Sequence, residues 1–257
     1  MDRNTDKTGL AEIREEIDAL DAQMRGLLLA RARLVEDVAR SKADVSETMA
    51  LRPAREMQQM QALADWHASE KPPFGLSTLL AVWREIIGAA LVQQGGLIVH
   101  ICAATARMAR DHFGVAAQYQ THDSATDAVR ACDSDPSSVA VIPLATNFTP
   151  AGAAGVFARL PILERPNALC YGSVSFKPSE TTVTLVRAPV TQAHVVEGGA
   201  IMAKYGQNAL IEIDSSLIEP LRNPLRADEI ADRYGAAVVW LGNYGLLHIP
   251  DGQEKLS

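Results

Sequence analysis

The stretch that decides the fold of the N-terminal part is IREEIDALDAQMRGLLLARARLVEDVARSKA, residues 13–43. From Leu10 to Ser41 the chain has no proline and a single glycine, Gly26. Apolar side chains recur there at alternating steps of three and four residues, which predicts one long helix with a heptad seam. A helix of about thirty residues is roughly 45–50 Å long, too long for a small globule to cover, so we expect it to pair with a second copy of itself. The seam consists of Leu10, Ile13, Ile17, Leu20, Met24, Leu27, Leu34 and Val38.

A cation interrupts this apolar seam. Arg31 stands four residues after Leu27, where a leucine is expected. Burying a guanidinium without an anion is costly, so either an acidic residue such as Glu36 pairs with it or a ligand brings the negative charge. Lys42 lies eleven residues further on, which is three turns plus roughly 20° at about 100° per residue. The two cations share one face of the helix, which suits a dianion between them; both alternatives remain open.

A second helix is predicted to start in LRPAREMQQM, residues 51–60. Pro53 suits the first turn of a helix, where its missing N–H leaves no hydrogen bond unmade. Glu56 follows within that turn. Whether the stretch only starts a helix or forms the lip of an anion site depends on the neighbouring helices.

A third helix is predicted in LSTLLAVWREIIGAALVQQGG, residues 76–96. Its apolar face continues to Gln94, whose amide offers both a donor and an acceptor. Taken alone, Gln94 is a polar helix end beside Gly95 and Gly96. Together, the three helices predict an inward-facing group of Arg31, Lys42 and Gln94, with Glu56 at the start of the middle helix.

Residues 9–96 resemble the all-helical chorismate mutases, most closely the mutase half of the bifunctional chorismate mutase–prephenate dehydratases. The resemblance is carried by residues 13–43, by LRPARE and by REIIGAALVQQ. It implies an intertwined homodimer of three-helix chains that rearranges chorismate to prephenate in phenylalanine and tyrosine biosynthesis. The reaction is an isomerisation that needs no cofactor.

The resemblance also implies a role for each matching residue. Arg14 falls on the arginine that reaches into the other subunit's site. Arg31 falls on the arginine that holds a substrate carboxylate, and Lys42 on the lysine near the ether oxygen and a carboxylate. Glu56 takes the acidic position that contacts the substrate hydroxyl, and Gln94 the position that hydrogen-bonds the ether oxygen.

Three pocket-lining positions depart from the family pattern. Gln59 stands where an arginine can occur, Met60 where a second acid can hold the hydroxyl, and Ala90 where a serine lines the pocket. Weaker binding of the substrate is therefore expected. Met60 and Ala90 also favour an alternative, a non-catalytic dimeric sensor of a small anion.

After Gly95 and Gly96, short apolar strands alternate with helices, which predicts an α/β domain over residues 97–257 beside a helical domain at 1–95. Residues 97–175 resemble the prephenate dehydratase domain, a two-lobed fold akin to periplasmic binding proteins, at DHFG, HDSATDAVRAC and SVAVIPL. The motifs that carry the chemistry differ: CAATARM replaces a Gly-rich loop, PLATN replaces PIENS, and the chain has no Thr-Arg-Phe. We expect a non-catalytic domain, the alternative being an active bifunctional enzyme.

The composition restricts the remaining possibilities. The 257 residues are 47% hydrophobic and carry a net charge of −7 without a run of basic residues, which argues against nucleic acid or an anionic membrane as a partner. The longest apolar runs are far too short to cross a bilayer, and the polar N-terminus has no signal-peptide pattern. Three cysteines without CxxC spacing favour a reducing, cytoplasmic location, and the histidine spacing predicts no metal site.

Overall fold

The computed structural model describes residues 5–42, 49–175, 182–196, 198–214 and 226–249.

The first element is a single long helix. Helix α1, Thr5–Lys42, has 38 residues and is about 57 Å long at 1.5 Å per residue. All eight seam residues are 45–72% exposed in the single chain. The predicted long amphipathic helix is therefore present, with its apolar stripe uncovered.

The chain divides by its internal contacts into two compact units, Met1–Glu47 and Thr48–Ser257. The second unit contains the second and third helices of the chain together with the whole sheet, because the third helix packs closely on the α/β part. A Cβ added to Gly88 would come within 2.1 Å of the Phe113 carbonyl oxygen. The expected domain boundary at residues 95–97 stays a prediction. The helices of the second unit are α2 (Pro53–Glu70), α3 (Leu76–Gln93), α4 (Ala106–Phe113), α5 (Ala125–Ser134) and α6 (Ala227–Tyr234), with 3-10 turns at Ala103–Thr105 and Val190–Val195.

Within the described ranges, nine strands join one mixed sheet in the order β2-β1-β3-β5-β4-β9-β6-β8-β7. The first three strands in this order are parallel, and β5 then pairs antiparallel with both β3 and β4. One core cluster joins apolar side chains of α2 and α3 to those of β1 and β3. The strands are β1 (Ile98–Cys102), β2 (Gln118–His122), β3 (Ser138–Pro143), β4 (Gly155–Leu160), β5 (Ala168–Gly172), β6 (Thr182–Pro189), β7 (Gly199–Tyr205), β8 (Asn208–Asp214) and β9 (Val239–Gly245).

The last four strands form an antiparallel half-sheet in the order β9-β6-β8-β7. With α6 and the 3-10 turn after β6, this is the ferredoxin-like βαββαβ arrangement, its first helix reduced to a 3-10 turn. The half-sheet joins the rest where Val156 of β4 pairs with Gly242 of β9. A Cβ at Gly242 would lie 2.2 Å from the Val156 backbone, so only glycine permits this junction. The sequence predicted two lobes, whereas these strands form one sheet.

Ser124 and Thr105 each directly precede a helix, but their hydroxyls act differently. The Ser124 hydroxyl caps α5 by accepting from the Asp127 N–H at 3.1 Å, as a serine at this position predicts. Thr105 precedes α4 but does not cap it with its side chain. Its hydroxyl donates to the Val141 carbonyl at 2.7 Å and accepts from the Cys102 N–H at 3.3 Å. Thr105 thereby ties the end of β1 to β3.

Helix α3 contradicts the expectation that every apolar run is too short to cross a bilayer. Among the described residues it is the one helix with the length and composition for a membrane span, with a mean hydropathy of 1.3 over Leu76–Gln93. The core helix of a globular unit passes the same test. Of this window, 44% is buried inside the unit, including Leu79, Ile87 and Leu91.

Candidate functional site

The predicted site residues on α1 lie along its length. Arg14 is exposed and Arg31 is half-buried. Lys42 is the last residue of α1, and its side chain lies outside the part of the chain that the structure describes. The geometry between these residues and those of α2 and α3 stays a prediction, because the two groups belong to different compact units.

The predicted pocket-lining residues of α2 and α3 are mostly inside the second unit. Met60 is fully buried, Ala90 is 7% exposed and Gln59 is half-buried. Gln94 is the C-cap residue that follows α3, and its Nε2 donates to the Ala90 carbonyl at 3.0 Å. Gln94 would have to exchange this local hydrogen bond for one to a substrate.

Glu56 forms a buried ion pair that the sequence analysis missed. Its Oε2 accepts from Arg84 Nη1 at 2.8 Å, and the two side chains are 10% and 6% exposed. Burial raises the pKa of Glu56 while the Arg84 charge opposes the rise, and burial lowers the pKa of Arg84. Glu56 Oε1 and Arg84 Nε have no hydrogen-bond partner among the described residues.

A sequence signal for Arg84 was available. Arg84 stands four residues after Leu80 and three before Ile87, on the buried face of α3. A cation within an apolar face is the same signal that singled out Arg31, so it should have predicted a buried partner for Arg84.

The pair lines a small, partly open cavity of about 30 Å³. Its walls include Pro53 at the start of α2, Phe157 of β4 and Leu246. A water molecule fits there, since about 10–15 Å³ of such space is enough for one. In this corner of the unit Glu56 faces Arg84, and the question whether the start of α2 also forms the lip of an anion site stays a prediction. Nearby, Arg52 donates to the carbonyl oxygens of Met49 and Leu51, so its charge closes the turn before α2.

The other polar clusters give no metal site within the described ranges, where no group of three or more His, Cys, Asp or Glu side chains converges. His100 Nδ1 and His122 Nε2 are 2.9 Å apart on neighbouring strands, so one nitrogen donates and the other accepts. The three cysteines are free and buried.

Comparison with known proteins gives one family match. Residues 13–95, about a third of the chain, match the family model of chorismate mutase type II. The chain therefore contains a chorismate mutase domain, and the predicted enzyme class, an isomerase, is confirmed.

The other two comparisons add little. No curated protein matches the chain. Among solved structures, a chain described as "GqqA- a novel type of quorum quenching acylases" is 10% identical, with a TM-score of 0.33 over 58% of this chain and 94% of that chain. A likeness this weak carries no argument about fold or activity.

Proposed function

We propose that this protein converts chorismate to prephenate, and that Arg31, Lys42 and Gln94 carry the reaction. The observation that carries the proposal is the chorismate mutase type II match over residues 13–95, a range that contains all three side chains. The rearrangement is pericyclic, so no nucleophile, proton transfer or cofactor is needed. The protein contributes by holding the compact conformer and by stabilising charge on the breaking ether oxygen.

The roles follow from charge and hydrogen-bonding capacity. Arg31 holds a carboxylate, while Lys42 and Gln94 donate to the ether oxygen, each such donor being worth about 3 kcal/mol in the transition state. Gln94 gives up its bond to the Ala90 carbonyl, at a cost of about 1 kcal/mol. Glu56 has Oε2 committed to Arg84, so only Oε1 remains to accept from the substrate hydroxyl.

The proposed enzyme is a homodimer in which α1 pairs with α1 of a second copy. The uncovered seam supports this, because eight apolar side chains at heptad spacing are 45–72% exposed. Burying one such side chain fully contributes roughly 1.5–3 kcal/mol. In this dimer Arg14 reaches the site of the partner subunit.

The test is the loss of chorismate absorbance on mixing with the purified protein. Wild-type protein should consume chorismate, and Arg31→Ala should do so at least about a hundredfold more slowly, as expected for a lost charge-assisted donor. Arg33→Ala is the matched control, because Arg33 is an exposed arginine two residues along α1. Equal rates for the Arg31 and Arg33 variants, or no turnover by wild type, would remove the proposal in favour of a non-catalytic sensor.

For residues 97–257 we infer a dehydratase-like domain without dehydratase activity, in a cytoplasmic protein. The β1-α4-β2-α5-β3 order with its three parallel strands supports the resemblance. The replaced motifs CAATARM and PLATN argue against catalysis. Prephenate given to the purified protein at neutral pH should yield phenylpyruvate only at the spontaneous rate. Enzymatic phenylpyruvate formation would establish the bifunctional alternative.

A further inference from the structure

A second, larger recess lies in the unit that contains the sheet and adjoins the one beside Glu56, since Arg84, His112 and Ile162 line both. It is a groove of about 490 Å³ between α3, α4 and the segment that follows β4. Its size falls within the range of about 300–1,000 Å³ that holds small-molecule ligands. Much of its wall is apolar, including Leu80, Met108, Ile162 and Leu163.

Two buried polar side chains also line the groove. Arg84 is 5% and His112 is 8% exposed. Burial, together with the nearby Arg84 charge, holds the pKa of His112 well below its usual value, so the imidazole is neutral at pH 7. Arg84 uses Nη1 for Glu56, and its Nε has no partner among the described residues. The guanidinium therefore keeps hydrogen-bonding capacity beyond its ion pair.

The other charged residues of the groove lie at its rim. Arg107 and Asp111 form an exposed ion pair at 3.6 Å, which contributes little in water, and Glu164 is exposed. Among the described charged residues that line the groove, only Arg84 is buried. A charge shielded from solvent acts more strongly on a ligand than an exposed one. The groove therefore favours an anionic group near Arg84.

We propose that this groove binds a small monocarboxylate with an apolar body. The carboxylate lies at the Arg84 end, and the body packs along Leu80 and Ile162. A single negative charge fits, because Glu56 already balances part of the Arg84 charge and the rim acids would repel a second one. Arg84 pairs with Glu56, a proposed contact of the mutase substrate, but none of Arg31, Lys42 and Gln94 lines the groove, and the inference does not depend on the proposed function.

The test uses 3-phenylpropanoate and its neutral amide, titrated by calorimetry into the full chain. The acid should bind, and the amide should bind at least about tenfold more weakly because it lacks the charge-assisted contact. Ala81 is exposed and lines the groove, so Ala81→Trp should abolish binding by filling it. Ala62→Trp, at an exposed position of α2, is the matched control and should bind as wild type does.

Two further variants keep the result decisive. Ser77→Phe blocks the same groove from another exposed position and replaces Ala81→Trp if that chain does not fold. Arg31→Ala should bind the acid with unchanged affinity, which separates the groove from the proposed mutase site. No binding of the acid, equal affinities for acid and amide, retained binding in the groove-filled variant, or loss in Arg31→Ala would each overturn the proposal.

Discussion

The ion pair between Glu56 and Arg84 can be tested by removing one or both of its charges. Arg84→Met leaves the Glu56 carboxylate buried without a cation, and Glu56→Leu leaves the guanidinium buried without an anion. Each single change should cost about 3–5 kcal/mol of unfolding free energy. The double variant Glu56→Leu/Arg84→Met buries no charge and should be more stable than either single variant, close to wild type.

Tryptophan fluorescence during urea unfolding is the suitable assay for this cycle. Trp66, Trp83 and Trp240 all belong to the Thr48–Ser257 unit, so the signal reports on the unit that holds the pair. Arg130→Met is the matched control, because Arg130 forms an exposed ion pair with Asp127 on α5 of the same unit. If the two losses of unfolding free energy were additive, the double variant would be the least stable of the three. That result would refute the reasoning that an unpaired buried charge destabilises each single variant.

Three other predictions follow from single positions. Gly88→Ala should lower the urea midpoint and cost roughly 1–3 kcal/mol or more of unfolding free energy, because its Cβ would meet the Phe113 carbonyl at 2.1 Å. Gly26→Ala on α1, where nothing lies within 4 Å of the added Cβ, should leave the midpoint unchanged. An unchanged midpoint for Gly88→Ala would mean that α3 lies further from α4. Burial lowers the pKa of His112 in the folded protein below the value of about 6.5 that it has in the unfolded chain. As the pH drops below about 6.5, the unfolded chain therefore binds a proton that the folded protein does not, and the free energy of unfolding falls by up to about 1.4 kcal/mol per pH unit. His112→Gln should flatten the slope of unfolding free energy against pH between 5 and 6.5; an unchanged slope would exclude His112 as its source. Mutase kcat/KM should be nearly flat across about pH 6–9 because an amide does not titrate, and Gln94→Glu should make it acid-favoured, since only a protonated carboxyl donates. An unchanged profile in that variant would remove Gln94 from the site.

The sequence predicted the helical elements well because their signals are local. The 3–4 spacing of apolar residues predicted α1, and Pro53 marks the first residue of α2 as expected. Strands β4 and β5 were not predicted, because each is short and its place in the sheet depends on pairing with distant segments. The single sheet depends on Gly242 meeting Val156, a contact between residues 86 positions apart that no local pattern reveals.

The candidate site was predictable only in part. A charge within an apolar seam marked Arg31 as a candidate site residue. Arg84 shows the same pattern, and the structure shows that it is the partner of Glu56. The sequence could not reveal that Glu56 faces inward to a cavity of about 30 Å³, because that orientation depends on β4 and the residues after β9.

The most direct test of the shared-site mutase mixes two inactive chains. Arg14→Ala and Arg31→Ala homodimers are each expected to lose chorismate turnover, since each lacks one of the cations at every site. After unfolding and refolding together, half of the chains should form heterodimers by random pairing, and each heterodimer should contain one intact site. The account predicts that the mixture regains chorismate turnover, to about a quarter of the wild-type rate per chain, if the two sites act independently. A mixture that stays as inactive as its parents, while heterodimers are present, would contradict it.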